Sequence, residues 1–346
     1  MSERNLDFRS DTVTLPTPEM REAAAKAEVG DDVFGEDPTV NELERLAAEK
    51  LGKERGLFVT SGTQGNAVSV LAQTQRGDEI ILEARSHIYV NEVGGLAALG
   101  GLMARTVPGV LGWMKPEDVE GAVRSANIHF PKTSLVCLEN THNAAGGVPL
   151  TVEQMKADWE VAKRHELRVH LDGARIFNAA IALGVDARNL AKYADSVQFC
   201  LSKGLSAPVG SLVVGDKEFI DKARKYRKML GGGMRQAGII AAPGIIALTK
   251  MVDRLVDDHI NAKLLANGLG EIKGIRIVNP VMTNMVYIDV SGLSWTGKEW
   301  SEACKKLGWK SGGGQSTTIR LCTHYGIWRK DIESFLQGIK KLVPKR

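Results

Sequence analysis

Seven short apolar runs rich in β-branched residues, most of them separated by a stretch with helical periodicity, constrain this chain more than any other feature. They occupy residues 57–60, 79–83, 103–107, 134–139, 168–172, 196–201 and 211–214. Helices are expected at 39–51, 63–75, 116–125, 152–165, 174–183 and 217–230. In the first of these, Val40, Leu43, Leu46, Ala47 and Leu51 repeat with the helical period after an Asp37-Pro38 start. Strands that alternate with helices imply an α/β fold with a mostly parallel sheet covered on both faces. The last two runs break the rule. Residues 202–210 are too few for the dozen or so that a parallel crossover requires, so these two runs should pair antiparallel and the seven-stranded sheet is mixed.

From about residue 251 the pattern changes to a long amphipathic helix, short strands near 275–278, 284–289 and 318–322, and helices at 298–307 and 329–342. This predicts a smaller α+β domain over 251–346, following an N-terminal segment and large domain over 1–250. No internal repeat or low-complexity tract interrupts either part.

Composition narrows the function. With 45 basic and 41 acidic groups the net charge is only +4, too small and too dispersed for a nucleic-acid protein. Small-molecule chemistry is the better expectation. Cys137, Cys200, Cys304 and Cys322 lie far apart without a CxxC spacing and read as reduced core thiols. The N-terminus MSERNLDFRSD is charged where a secretory signal is apolar, and the longest uncharged run, 236–249, is shorter than the ~20 residues that span a bilayer. A cytoplasmic enzyme without membrane association is expected.

In open α/β sheets ligands bind beyond the carboxyl ends of the strands, so polar groups just after strand runs carry most weight. Ser61-Gly62-Thr63, His87, Asp172 and Lys203 meet that test. SGTQGN (61–66) enters a helix through glycines and hydroxyls, offering free N–H groups to a phosphate, or simply a serine helix cap. Asp172 closes the apolar run VHLD, where a carboxylate needs a partner such as a cationic ring nitrogen, or else Arg175. Lys203 follows an interior strand; a desolvated amine there is a candidate imine former, a snorkelling structural lysine the plain alternative. His87 reads as a stacking or orienting ring, a proton carrier, or a helix-start histidine.

Longer motifs then bring a resemblance. RSDTVTLPT (9–17), GDDVFGEDPTVNELE (30–44), SGTQGN, IHFPKTSLVCLENTHN (128–143), HLDGARIFNAA (170–180), FCLSKGLSAPVGS (199–211), LGGGMRQAG (230–238) and IRLCTH (319–324), in this order, resemble the L-threonine aldolases. These are pyridoxal 5'-phosphate enzymes of the aspartate-aminotransferase-like fold. The match is close from Leu6 to about Lys250 and looser beyond. The resemblance implies that Lys203 carries the cofactor as an imine, Asp172 pairs with the ring nitrogen, Gly62 and Thr63 hold the phosphate, and His87 stacks on the ring. It implies a substrate-carboxylate clamp of Ser10, Arg175 and Arg320. His129 matches a histidine that approaches the site. Lys228 and Arg235 match basic residues that reach the phosphate from a neighbouring subunit, which implies a homo-oligomer, a dimer at least and commonly a tetramer. By itself KARKYRK (222–228) reads as a solvated basic helix face.

The implied reaction is reversible cleavage of L-threonine, L-allo-threonine and related β-hydroxy-α-amino acids to glycine and an aldehyde. The base is His87, or a water ordered by His87 and His129. Asn91 departs from the family pattern, which often has an aromatic or histidine there near the substrate's hydroxyl end; stereopreference is therefore not carried over. The same lysine, aspartate and phosphate turn could serve a β-eliminating lyase or an aminotransferase, or a non-catalytic cofactor-binding regulator. No metal ligand set is apparent.

Overall fold

A computed structural model describes residues 6–343. Its strands are β1 (Arg55–Val59), β2 (Glu79–Glu83), β3 (Met103–Val107), β4 (Gly109–Val110), β5 (Trp113–Met114), β6 (Thr133–Glu139), β7 (Arg168–Asp172), β8 (Ser196–Cys200), β9 (Ser211–Gly215), β10 (Arg276–Ile277), β11 (Met285–Asp289) and β12 (Thr318–Cys322). The seven apolar runs join one sheet in the order β1-β9-β8-β7-β6-β2-β3. β2, β3, β6, β7 and β8 pair in parallel, whereas β9 is antiparallel to both β8 and β1. The short 202–210 connection has the consequence expected of it. β8 and β9 are buried along their whole length, as strands covered on both faces must be.

One long helix escapes the periodicity argument. Gly238–Lys250 coincides with the long uncharged run and packs against both Pro18–Ala25 and Pro38–Leu51. Its small and apolar residues face neighbours on several sides, so no polar stripe marks a period. Gly244 leaves no room for a side chain there, since a Cβ would meet Leu201 at 2.8 Å and Leu43 at 3.0 Å.

The main apolar core runs from Met20 to Leu255 and fills the layers on either side of the sheet. A second core joins Leu265, Leu269, Ile288, Trp300, Leu321 and Phe335 beneath the β10-β11-β12 sheet. Phe8 belongs to this second core: its ring stacks on Trp309 at 4.2 Å and meets Phe335 edge-on at 5.1 Å. The N-terminal segment is thus anchored on the C-terminal unit and carries residues 9–14 between the two cores. All four cysteines are free and buried.

Asp158, on the helix Val152–Arg164, is completely buried, and among the described residues neither carboxyl oxygen has a partner in hydrogen-bond geometry. Burial pushes its pKa up to about 8, with the Trp113 indole opposing only weakly. Below about pH 4 both the folded and unfolded chain hold the proton. Between there and about pH 8 only the unfolded chain releases it, removing about 1.4 kcal/mol of stability per pH unit. Asp158→Asn is therefore expected to raise the melting temperature at pH 8, with the gain shrinking towards zero near pH 4. A pH series of thermal melts checks this; a gain independent of pH contradicts it.

Candidate active site

The parallel strands end on one rim of the sheet, and β2, β6, β7 and β8 bring polar side chains there. Asp172 is the last residue of β7 and only 2% exposed. One of its oxygens accepts from the Asn66 amide at 2.9 Å, the other from the Ala174 N–H at 3.1 Å and Gln198 at 3.3 Å. Asn66 is itself oriented from behind. Gln73 donates to the Ser196 hydroxyl (2.8 Å), which lies 2.9 Å from His170 Nδ1; the opposite ring nitrogen lies 3.1 Å from Asn66 Oδ1. Burial lowers the His170 pKa to about 4, so the ring is neutral and its Nε2–H can donate to that oxygen. The amide orientation of Asn66 follows, and its Nδ2 donates to both Asp172 and Glu92.

Glu92 takes the Asn66 amide at 2.7 Å and lies 2.9 Å from His87 Nδ1. That hydrogen bond raises the His87 pKa against the effect of burial; the negative charge of Asp172 adds to it and the ammonium of Lys203 opposes it. Lys203 and Asp172 thus both act electrostatically on the ring of His87. Burial and the nearby Asp172 raise the Glu92 pKa, while its bonds to His87 and Asn66 lower it. Lys203, in the loop after β8, is half-buried, and its amine has no hydrogen-bond or ion-pair partner among the described residues. Its backbone is held: the Lys203 carbonyl accepts from the Thr14 hydroxyl at 2.8 Å.

At the end of β1, Ser61 caps the helix Gly62–Gln73 by accepting from Gln64 N–H at 3.1 Å. The N–H groups of Gly62 and Thr63 have no acceptor among the described residues. Free donors at a helix start favour an anion such as phosphate. Gly62 and Gly65 allow this turn to lie on β8, since a Cβ would meet Cys200 Sγ at 3.0 Å from Gly62 and Gln198 Cγ at 2.5 Å from Gly65. The serine cap and the phosphate cradle are compatible readings of one motif.

The residues expected to clamp a carboxylate come from three parts of the chain. Arg175 is buried and donates side-on to Asp11 through Nε (2.7 Å) and Nη2 (2.6 Å). Burial alone would raise the Asp11 pKa; Arg175, Lys203 and a 3.1 Å bond from Asn284 outweigh it and hold the carboxyl ionised. Arg320 on β12 donates to Asn143 Oδ1 at 2.9 Å and to the Arg9 carbonyl at 3.1 Å, with no carboxylate partner among the described residues. Ser10 lies between, its hydroxyl accepting from Thr12 N–H at 3.2 Å. Of the two arginines, Arg320 is the one whose charge is left for a ligand.

Other expected residues do not converge within one chain. His129 is exposed and precedes β6, so it sits at the rim opposite the site. The ring of its neighbour Phe130 lies 5.1 Å from Arg124, which in turn bonds Glu79 at the start of β2. Asn91 is exposed and its N–H donates to the His87 carbonyl at 2.9 Å. Lys228 is exposed at the end of the helix Lys217–Met229, and Arg235, 56% exposed, pairs with Asp31 at 3.0 Å. Within KARKYRK the arginines turn inward, Arg227 to Asp32 and Arg224 to Glu44, so only part of that segment is a solvated face.

Asp11, Asn66 and Asn143 lie inside motifs singled out from the sequence, yet their roles emerge only from contacts made across the fold. Glu92 carries no local signal beyond its place five residues after His87.

The profile of the family described as beta-eliminating lyase matches residues 7–292. Low-specificity L-threonine aldolase 1 of Arabidopsis thaliana is 48% identical over 335 residues, covering 95% of this chain and 94% of that protein. Low specificity L-threonine aldolase of Escherichia coli K12 is 46% identical over 329 residues, 94% and 96% of the two chains. The structure of Leishmania major threonine aldolase superposes with a TM-score of 0.83 at 22% identity over 98% of this chain and all of that one, which confirms the fold. The chain belongs to the beta-eliminating lyase family, among its low-specificity L-threonine aldolases.

Proposed function

We propose that this protein is a pyridoxal-phosphate-dependent aldolase that reversibly cleaves L-threonine, L-allo-threonine and related β-hydroxy-α-amino acids to glycine and an aldehyde. The observation that carries the reading is the grouping of an unpartnered Lys203 amine and the Asp172 carboxylate about His87, beside an arginine with no carboxylate of its own. The donor set fits the cofactor: Gly62 and Thr63 N–H for the phosphate, Lys203 for the aldehyde, His87 for the ring face and Asp172 for the ring nitrogen. When bound, the cofactor supplies an electron sink for the pair released as a bond to Cα breaks.

The residues of this chain supply everything else. Arg320, with Ser10 and the Asp11-anchored Arg175, fixes the substrate carboxylate and so turns the Cα–Cβ bond perpendicular to the ring plane. Glu92 holds His87 through Nδ1 and leaves Nε2 to take the β-hydroxyl proton, directly or through a water. For His129 to take part, a neighbouring subunit must supply it. The same holds for Lys228 and Arg235 if they reach the phosphate of another subunit. Phe34 (74% exposed) and Met229 (73%) lie in the same segments as the Asp31–Arg235 pair and Lys228, which supports an oligomer with shared sites, a dimer at least and a tetramer by family resemblance. No helix among the described residues is long and apolar enough to cross a membrane, and four free cysteines favour the cytoplasm.

Incubating the holoprotein with L-threonine and L-allo-threonine tests the reading: glycine and acetaldehyde in equal amounts are expected. Release of 2-oxobutyrate and ammonia would make it a β-eliminating lyase, and absence of turnover a cofactor-binding regulator. The Glu92 bond is the main cause of the raised His87 pKa, and protonating His87 removes the base. Glu92→Gln therefore should move the acidic limb of the kcat profile to lower pH; an unmoved limb would exclude His87 as the titrating base.

A further inference from the structure

Three neighbouring parallel strands each end in a buried carboxylate. Along the sheet these are Asp172 of β7, Glu139 of β6 and Glu83 of β2, respectively 2%, 5% and 5% exposed. Asp172 faces the cofactor position. Glu83 has a structural assignment, since it accepts from the Arg85 N–H at 2.6 Å and lies 3.0 Å from His142 Nε2. His142 is oriented for that bond, because its Nδ1 accepts from the Ala145 N–H at 3.2 Å. The use of Glu139 is different. No arginine or lysine pairs with it among the described residues, and His142 lies at 3.8 Å.

Both oxygens of Glu139 are spent on main-chain donors from two separate segments. One accepts from the N–H of His87 at 2.7 Å, the other from the N–H of Asn143 at 2.8 Å. His87 begins the short helix after β2, and its ring bears on Asp172 and Lys203. Asn143 lies in the loop after β6 and holds Arg320 through Oδ1, while its carbonyl accepts from the Tyr287 hydroxyl at 3.4 Å. A single carboxylate fixed at the end of a central strand thus sets where the cofactor wall and the carboxylate clamp stand relative to one another.

We infer that Glu139 is a positioning residue, touching neither substrate nor cofactor, that holds the His87 wall and the Asn143–Arg320 clamp in register. Two main-chain hydrogen bonds, one to each oxygen of a single buried carboxyl group, hold these amides in a narrow range of positions. Substrate held by Arg320 must meet a ring backed by His87 with its Cα–Cβ bond correctly aimed, and small misplacements in such an arrangement cost rate steeply. The inference rests on the aldolase reading only for the identity of the substrate.

Glu139→Gln is nearly isosteric but can offer only one carbonyl oxygen to the two donors, so one of the bonds is lost. In the cofactor-free protein, hydrogen exchange should become about tenfold faster at the amide of His87 or of Asn143, the effect of leaving one buried donor without its acceptor. In the holoprotein, KM for L-threonine should rise by about tenfold on the same ground and kcat should fall. Glu83→Gln is the control from the same row: it should lower the melting temperature yet leave KM within about twofold, inside the error of additivity for sites that do not couple. In Glu139→Gln/Asn143→Ala the rise in KM should be no greater than in the worse single variant, because Glu139, through the main-chain N–H of Asn143, bears on Arg320 only by way of the Asn143 amide that alanine removes. Should Glu139→Gln fail to fold, Glu139→Asp and Asn143→Ala carry the same comparison. A folded Glu139 variant with unchanged exchange at both amides and wild-type KM overturns the inference, as does a double variant whose effects multiply. If the wild type makes no glycine from L-threonine, the aldolase reading fails while the exchange experiment still decides the role of Glu139.

Discussion

Lys203→Ala is expected to leave a folded protein that turns over L-threonine at least about 10,000-fold more slowly than the wild type, the scale on which essential groups held in place for reaction contribute. Nothing else in the pocket replaces its amine. Arg175 is committed to Asp11, Arg320 carries a guanidinium and not an amine, and Lys228 lies exposed at the end of the helix Lys217–Met229. The side chain makes no hydrogen bond or ion pair among the described residues, and the bond from Thr14 is to its carbonyl, which alanine keeps. Thermal melts should therefore move little while steady-state glycine production disappears. Turnover within tenfold of wild type would remove Lys203 from the chemistry.

Arg320→Ala has the second largest expected effect, and it falls on a different parameter. Arg175 and Arg320 look equivalent in sequence, but the structure separates them by charge compensation. The guanidinium of Arg175 is buried against Asp11, so Arg175→Ala would strand a buried carboxylate and destabilise the protein, at a typical cost of about 3–5 kcal/mol. Among the described residues Arg320 is bonded only to an amide oxygen and a carbonyl, and its loss strands no charge there. Removing it should raise KM for L-threonine by roughly 10- to 100-fold, the range for a hydrogen bond to a charged group, with cofactor content and melting temperature near those of the wild type. A KM unchanged in Arg320→Ala but raised in Arg175→Ala would reverse the assignment.

Much of this was legible before any coordinate. The alternation of apolar runs and helical periods forecasts the seven strands, and the short 202–210 connection the antiparallel β9. Placement of a polar group just after a strand singles out Ser61, His87, Asp172 and Lys203 as candidates. What could not be read has a common physical cause. The helix Gly238–Lys250 is packed on several sides and so shows no period. Asp11, Asn66, Glu92, Glu139 and Asn143 act through partners distant in sequence, such as Asp11 with Arg175 and Asn66 with Asp172. A local pattern cannot encode such pairs. His129, Lys228 and Arg235 mark a further limit: their proposed roles depend on a second copy of the chain, and one chain leaves them exposed.

The central claim is that one amine, Lys203, holds the aldehyde of the cofactor in the pocket it shares with Asp172 and His87. Borohydride reduction of the purified holoprotein followed by peptide mass mapping tests it most directly. The account predicts loss of the cofactor's visible absorbance and a reduced pyridoxyl group on the peptide containing Lys203 and on no other; the same label on Lys228 or any other lysine, with Lys203 unmodified, would contradict it.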